Sequence, residues 1–193
     1  MAAPMIAIVP VKSFRHGKQR LTPLLTPDQR HDLARDLATH VTSTAQRAGM
    51  SPVVVTADDE VAGWAMTSGH ALLSDPGTGL DDAAAAGVGH VMRSGGPWLI
   101  LHSDLPLLGV GDLQALAQVL LDGSPVIAPS SDGGTSAIGS TGPFRFSFGP
   151  GSFHRHLTRL TTPVVVTRTG LLLDVDTPND LVAARAIEDW ARL

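Results

Sequence analysis

Three aspartates carry the clearest chemical signal in this sequence. Asp104 closes the run Leu99-Ile100-Leu101-His102-Ser103 and is followed at once by Leu105 and Pro106. Asp174 and Asp176 close a second apolar run, Leu171-Leu172-Leu173-Asp174-Val175-Asp176. The first run does not alternate, so it reads as a strand buried on both faces, as in the middle of an α/β sheet. Such sheets bind ligands beyond the carboxyl ends of their strands, where an acid is costly unless it meets water, donors or a cation. On a last strand over Leu171–Val175, alternation turns Asp174 and Asp176 one way and Leu173 and Val175 the other. Two carboxylates side by side repel, and a hard divalent cation with oxygen ligands relieves that repulsion. With Asp104 from a neighbouring strand end, they make a three-carboxylate Mg²⁺ site. The competing reading has Asp176 as a solvated turn acid ahead of Thr177, with Asp174 simply exposed.

A basic loop follows the first apolar stretch. Lys12, Arg15, Lys18 and Arg20 are the densest positive cluster, and Lys12 and Lys18 are the only lysines. Gly17 between them permits a tight backbone path. Cations at this edge would neutralise a polyphosphate whose charge Mg²⁺ only partly cancels. Lys18 and Arg20 are the expected contacts, whereas Arg15 reads as solvated. There is no G-x-x-x-x-G-K-[ST] loop and no G-x-G-x-x-G after a strand, so neither a P-loop NTPase nor an ordinary dinucleotide site is supported.

Three further stretches admit two readings each. Asp81 or Asp82 could accept from the two N–H donors on the edge of guanine, or both acids could simply favour the dipole of a helix start. Phe148-Gly149-Pro150-Gly151-Ser152 reads as a turn into a helix capped by Ser152, whose free N–H groups suit a phosphate or carboxylate; an ordinary cap fits nearly as well. Gly133-Gly134-Thr135 is either a turn or a place where a ligand meets the backbone closely. No nucleophile constellation accompanies them: there is no Gly-x-Ser-x-Gly elbow and no cysteine. His154 and His156 lack spaced partners for zinc.

The elements that must position these residues alternate in the first half. Strands are expected at Met5–Val11, Pro52–Thr56, His70–Ser74 and from Leu99. Helices are expected from Thr26-Pro27 to about Gly49, over Asp59–Thr67, Leu80–Arg93 and Asp112–Leu121. That pattern means right-handed βαβ units and a largely parallel sheet. The second half is more mixed: strands at Val126–Pro129, Thr135–Gly139, Val164–Thr167 and Leu171–Val175, helices over Ser152–Leu160 and from Thr177-Pro178. Phe144, Phe146 and Phe148 alternate as a strand edge or hairpin would. The expected fold is one α/β domain over 1–193, a mixed, mostly parallel sheet with helices on both faces.

Composition narrows the function classes. A chain of 193 residues, 43% hydrophobic and 17% charged, suits a single soluble core. Its net charge of −4 speaks against a general nucleic-acid binder. Without cysteine there is no disulfide framework, the start Met1-Ala2-Ala3-Pro4 does not resemble a secretion leader, and no stretch approaches the ~18 apolar residues of a membrane span. A cytoplasmic protein is expected.

Taken in order, Val9-Pro10-Val11-Lys12, Gly17-Lys18-Gln19-Arg20-Leu21, Gly79-Leu80, Asp104-Leu105-Pro106-Leu107-Leu108, Gly133-Gly134-Thr135, Phe148-Gly149-Pro150-Gly151-Ser152-Phe153 and Leu173-Asp174-Val175-Asp176-Thr177-Pro178-Asn179-Asp180-Leu181 resemble the guanylyltransferases of deazaflavin cofactor (coenzyme F-420) biosynthesis. They span nearly the whole chain. The resemblance implies a Rossmann-like nucleotidyltransferase fold related to the molybdenum-cofactor nucleotidyltransferases. It implies metal at Asp104, Asp174 and Asp176, and GTP along Val11, Lys12, Lys18, Arg20, Gly79, Leu80 and Asp81. Acceptor binding falls to Thr135, Gly149 and Ser152, and direct catalytic roles to Lys18, Arg20 and Asp104. Mg²⁺ is the implied cofactor, and a homodimer the implied assembly, with room for the next enzyme of the pathway as a partner. The family often has Asn where Ser136 and Asp81 stand here.

The implied reaction passes GMP from GTP to a small phosphorylated acid and releases pyrophosphate. Phosphoenolpyruvate is favoured narrowly over 2-phospho-L-lactate and 3-phospho-D-glycerate. Two alternatives stand beside it: a nucleotidyltransferase for another acceptor, such as a sugar phosphate or pterin phosphate, and a catalytically silent GTP-binding regulator.

Overall fold

A computed structural model describes residues 5–77 and 79–187; the expectation about the extreme N-terminus lies outside them. Hydrophobic periodicity sets the elements. The apolar stretches give strands β1 (Ile6–Pro10), β2 (Ser51–Thr56), β3 (Ala71–Ser74) and β4 (Trp98–Leu101), each separated from the next by helix: α1 (Pro27–Arg47), α2 (Asp59–Thr67) and α3 (Leu80–Met92). After α4 (Val110–Leu121) come β5 (Val126–Pro129), β6 (Thr135–Ser140), α5 (Ser152–Leu157), β7 (Val164–Val165), α6 (Thr169–Leu172) and α7 (Pro178–Ile187). Thr26 caps α1 as expected, in a reciprocal pair with Gln29 and with Pro27 at the first helical position.

The strands form one seven-stranded sheet in the order β3-β2-β1-β4-β6-β5-β7. Every neighbouring pair is parallel except the two made by β6, which runs antiparallel between β4 and β5. Strand β4 is buried on both faces. Leu99 and Leu101 join the layer containing α1, α2 and α4, while Trp98 and Ile100 join the layer containing α3 and Phe146. Helices therefore cover both faces of a mixed, mostly parallel sheet. Among the described residues no helix is long and apolar enough to cross a membrane.

The order reverses between β1 and β4: the chain builds outward from β1 through β2 to β3, then returns to place β4 on the other side. That switch point opens a crevice at the carboxyl ends of β1 and β4. The basic loop leaves β1 there, and His102-Ser103-Asp104 leaves β4 beside it.

Two expected elements differ. Leu171–Val175 is not a strand; Thr169–Leu172 form a single helical turn, Leu173 is extended, and residues 173–176 make no ladder. Gly170 explains why the turn fits: a Cβ there would run into the Asp112 carboxylate and the Leu107 carbonyl, so this backbone packs directly on the start of α4. Phe144–Phe148 are likewise no strand. Their rings fold inward instead, Phe146 edge-on to Trp98 at 5.7 Å and stacked on Phe148 at 5.5 Å.

Candidate active site

The three aspartates meet although the expected strand is absent. Oxygens of Asp104, Asp174 and Asp176 all lie within 4.8 Å of one another. A backbone bond from Val175 N–H to the Asp104 carbonyl at 3.1 Å lays this segment against the end of β4. Asp180 secures its far side. One Asp180 oxygen accepts from the N–H of Asp176 and of Thr177 and from the Thr177 hydroxyl, at 3.2, 2.6 and 2.8 Å.

Lys18 reaches into this group. Its backbone is left-handed, with φ 52°, and its ammonium donates to Asp104 at 2.6 Å and to Asp176 at 2.9 Å. Burial alone would raise the Asp104 carboxyl, but the Lys18 charge outweighs it and holds the group below the ordinary carboxylate range. Burial would likewise lower Lys18, and Asp104 and Asp176 together hold it above the usual lysine value. Asp174 has no such partner: burial first, then the charges of Asp104 and Asp132, push it up to about 7. The other Asp104 oxygen is buried with no hydrogen-bond partner. Three clustered carboxylates, one ammonium and an orphaned buried oxygen leave excess negative charge, and a hard divalent cation with oxygen ligands fits that donor set.

These residues line a cleft of about 500 Å³, within the usual range for small-ligand sites. Val11, Lys12, Lys18, Arg20 and Leu80 line it from the nucleotide side of the expectation, and Thr135, Gly149 and Ser152 from the acceptor side. Arg15 turns away to pair with Glu60 at 3.0 Å, as its solvated reading expected. Gly79 and Asp81 do not line the cleft. Gly79 precedes α3 with φ 132°. One Asp81 oxygen accepts the Phe148 N–H at 2.7 Å, which ties the α3 start to the turn before α5.

Ser152 also departs from expectation. It is the first residue of α5, preceded by Gly151 in the left-handed region at φ 69°, and its hydroxyl goes to Thr135 Oγ1 at 3.3 Å instead of capping. The turn is fixed by Arg155, whose guanidinium donates to the carbonyls of Ser147 at 3.0 Å and Pro150 at 2.6 Å.

Sequence reasoning passed over several residues here. His102, Ser130 and Asp132 line the cleft, and the Asp132 carboxylate binds the Ser130 hydroxyl and, at 2.8 Å, the Gly134 N–H. The Ser130-Ser-Asp-Gly-Gly134 turn carried a readable signal, since Asp readily accepts from a backbone N–H two residues on. His156 carried none: its partners Thr135 and Ser147 are brought to it only by the fold.

This fold, with a cleft at its switch point and a basic loop after the first strand, is that of the nucleotidyltransferases. A protein from Desulfovibrio desulfuricans G20 described as a nucleotide-diphospho-sugar transferase superposes with a TM-score of 0.81 at 18% identity, over 98% of this chain and 90% of that one. Molybdopterin-guanine dinucleotide biosynthesis protein A from Archaeoglobus fulgidus shares the fold, with a TM-score of 0.56 at 16% identity over 95% and 98%. Within that class, the chain belongs to the family described as Guanylyl transferase CofC like, which matches residues 5–184. It is 34% identical to a phosphoenolpyruvate guanylyltransferase of Sphaerobacter thermophilus over 91% of this chain and 90% of that protein. It is 31% identical to a 2-phospho-L-lactate guanylyltransferase of Methanothermobacter thermautotrophicus over 91% and 81%.

Proposed function

We propose that the whole chain is one Mg²⁺-dependent guanylyltransferase domain that transfers GMP from GTP to a small phosphorylated acid, phosphoenolpyruvate by preference, in coenzyme F-420 biosynthesis. The observation that carries this reading is the convergence of Asp104, Asp174, Asp176 and Lys18 in one cleft with Thr135 and Ser152. The family membership and the names of the two relatives support the guanylyl donor and the class of acceptor.

An acceptor phosphate oxygen attacks the α-phosphorus of GTP in line, the bond from that phosphorus to the β-phosphate oxygen breaks, and pyrophosphate leaves. A phosphate monoester is already anionic, so no general base is needed. A divalent ion held by Asp104, Asp174 and Asp176 would offset charge on the triphosphate. The protein's own part is positioning and charge. Lys12, Lys18 and Arg20 bring positive charge to the triphosphate. Thr135, Gly149 and Ser152 hold the acceptor, and Leu80 at the α3 start packs toward the nucleotide.

The test is incubation with GTP, Mg²⁺ and each of phosphoenolpyruvate, 2-phospho-L-lactate and 3-phospho-D-glycerate in turn, following pyrophosphate and the product mass. Release with phosphoenolpyruvate and a product heavier by a guanylyl group is expected. Reaction only with another nucleotide would overturn the guanine assignment, and GTP binding with no pyrophosphate from any acceptor would make the chain a regulator. Light scattering in the same buffer tests the expected homodimer.

A further inference from the structure

His156 is fully buried beneath the acceptor side of the cleft, edge-on to Phe148 at 4.8 Å. Both ring nitrogens are engaged, and one contact fixes the other. The Ser147 backbone N–H reaches Nε2 at 2.9 Å. A backbone amide only donates, so Nε2 carries no proton, and the single proton of the neutral ring is on Nδ1. Nδ1 lies 3.0 Å from Thr135 Oγ1, which must therefore accept from it.

Thr135 Oγ1 also accepts from the Ser152 hydroxyl at 3.3 Å. Its two lone pairs are then filled, and its own proton is left over. Reversing the Ser152 contact frees one Thr135 lone pair and moves the spare proton to Ser152, so in either arrangement the pair keeps one proton to donate. Among the described residues the pair makes no other side-chain hydrogen bond. Thr135 and Ser152 are each 1% exposed, and both line the cleft.

We propose that His156 is a positioning residue: its Nδ1–H holds Thr135 Oγ1 as an acceptor, so that the Thr135–Ser152 pair presents one hydroxyl proton to an anionic oxygen of the phosphorylated acid. This rests on the reading that Thr135, Gly149 and Ser152 hold the acceptor. The spare proton of the pair is satisfied by a group that only accepts, such as a phosphate or carboxylate oxygen. An unpaired buried group is the alternative for any ligand lacking one.

Two measurements test it. In the free protein, ¹⁵N shifts of His156 should show protonated Nδ1 and bare Nε2; the opposite tautomer overturns the proposal whatever reaction the protein catalyses. In kinetics with GTP and phosphoenolpyruvate, Thr135→Val should raise the acceptor KM about ten- to hundredfold, the range for one hydrogen bond to a charged group. The KM for GTP should stay within about twofold. His156→Leu should do the same, and His156→Gln, whose amide offers both an N–H and a carbonyl oxygen, should recover most of the loss. Added to Thr135→Val, His156→Leu should cost less than about twofold more, since it acts through a hydroxyl already removed. Multiplying effects, or a fall in kcat with the acceptor KM unmoved, overturn the proposal. A wild-type protein that turns over no acceptor would sink the proposed activity instead, and the tautomer would then decide the role of His156 alone.

Discussion

Lys18 Nζ donates to Asp104 Oδ2 across 2.6 Å, tying the loop after β1 to the end of β4 at the point where the sheet order reverses. Only 9% of the Lys18 side chain is exposed, against 18% for Asp104 and 49% for Asp176. The ammonium is thus the internal counter-charge of the acidic cluster. The sequence points Lys18, with Arg20, to a triphosphate; the fold adds the pairing of its ammonium with Asp104 and Asp176. In the proposed reaction a phosphate held beside these acids would lie within reach of the same charge.

Lys18→Met should therefore lose stability as well as rate. Breaking a buried ion pair from one side costs about 3–5 kcal/mol. The half-exposed Asp176 lowers that to on the order of 2–3 kcal/mol. The left-handed backbone at residue 18 is no easier for Met than for Lys, so its strain of roughly 1 kcal/mol stays and the difference reports the charge. Urea unfolding in EDTA reads it. Turnover should fall by about 10²–10³, as for loss of one preorganised charge contact. Unchanged stability would mean the ammonium contributes nothing net.

Asp104→Asn keeps the shape of the side chain and removes one charge from the three. A drop of at least about 10² in turnover is expected. Mn²⁺ or Mg²⁺ should raise the melting temperature of the wild type, because an ion that binds the native state stabilises it, and that rise should shrink sharply in the variant. A variant that keeps both near wild type removes Asp104 from the metal site.

The burial of β4 on both faces was legible because Trp98–Leu101 holds four apolar residues in succession, a pattern that fits little else in so short a run. The meeting of Asp104 with Asp174 and Asp176 was legible only in outcome. Alternation on a strand was the wrong reason, since the segment passes through a helical turn and is fixed by Val175 N–H on the Asp104 carbonyl. Nothing local to Leu171–Asp176 encodes that bond; it depends on Gly170 packing against α4. Asp81 shows the same limit. An acid in the first turn of a helix is easily recognised, but its partner Phe148 is 67 residues away, and only the closed fold shows which way the carboxylate turns.

Asp81→Ala separates the expected role from the observed one. Because the carboxylate holds the Phe148 N–H, its loss should loosen the turn carrying Gly149 and raise the acceptor KM by about fivefold, the effect of one ordinary hydrogen bond of about 1 kcal/mol. Discrimination between GTP and ATP should be unchanged. A collapse of that discrimination, with the acceptor KM intact, would return Asp81 to the base.

His156 makes stability depend on pH with a defined sign. Burial first, then the charge of Arg159, lower its pKa to about 4 from an ordinary 6.5. The unfolded chain thus takes up a proton near pH 6.5 while the folded chain resists until about 4, so unfolding binds a proton in that window. The stabilisation is complete above about pH 6.5 and is lost as the pH falls toward 4, amounting to on the order of 3 kcal/mol at 1.36 kcal/mol per pH unit. Protonation also places a hydrogen on Nε2, directly against the Ser147 N–H that it had been accepting. His156→Gln has no such proton to take up. Urea midpoints measured from pH 7 down to pH 4 should fall more steeply for the wild type than for His156→Gln, with the two curves converging toward the acid end. Parallel curves would mean that the buried imidazole titrates as it does in water.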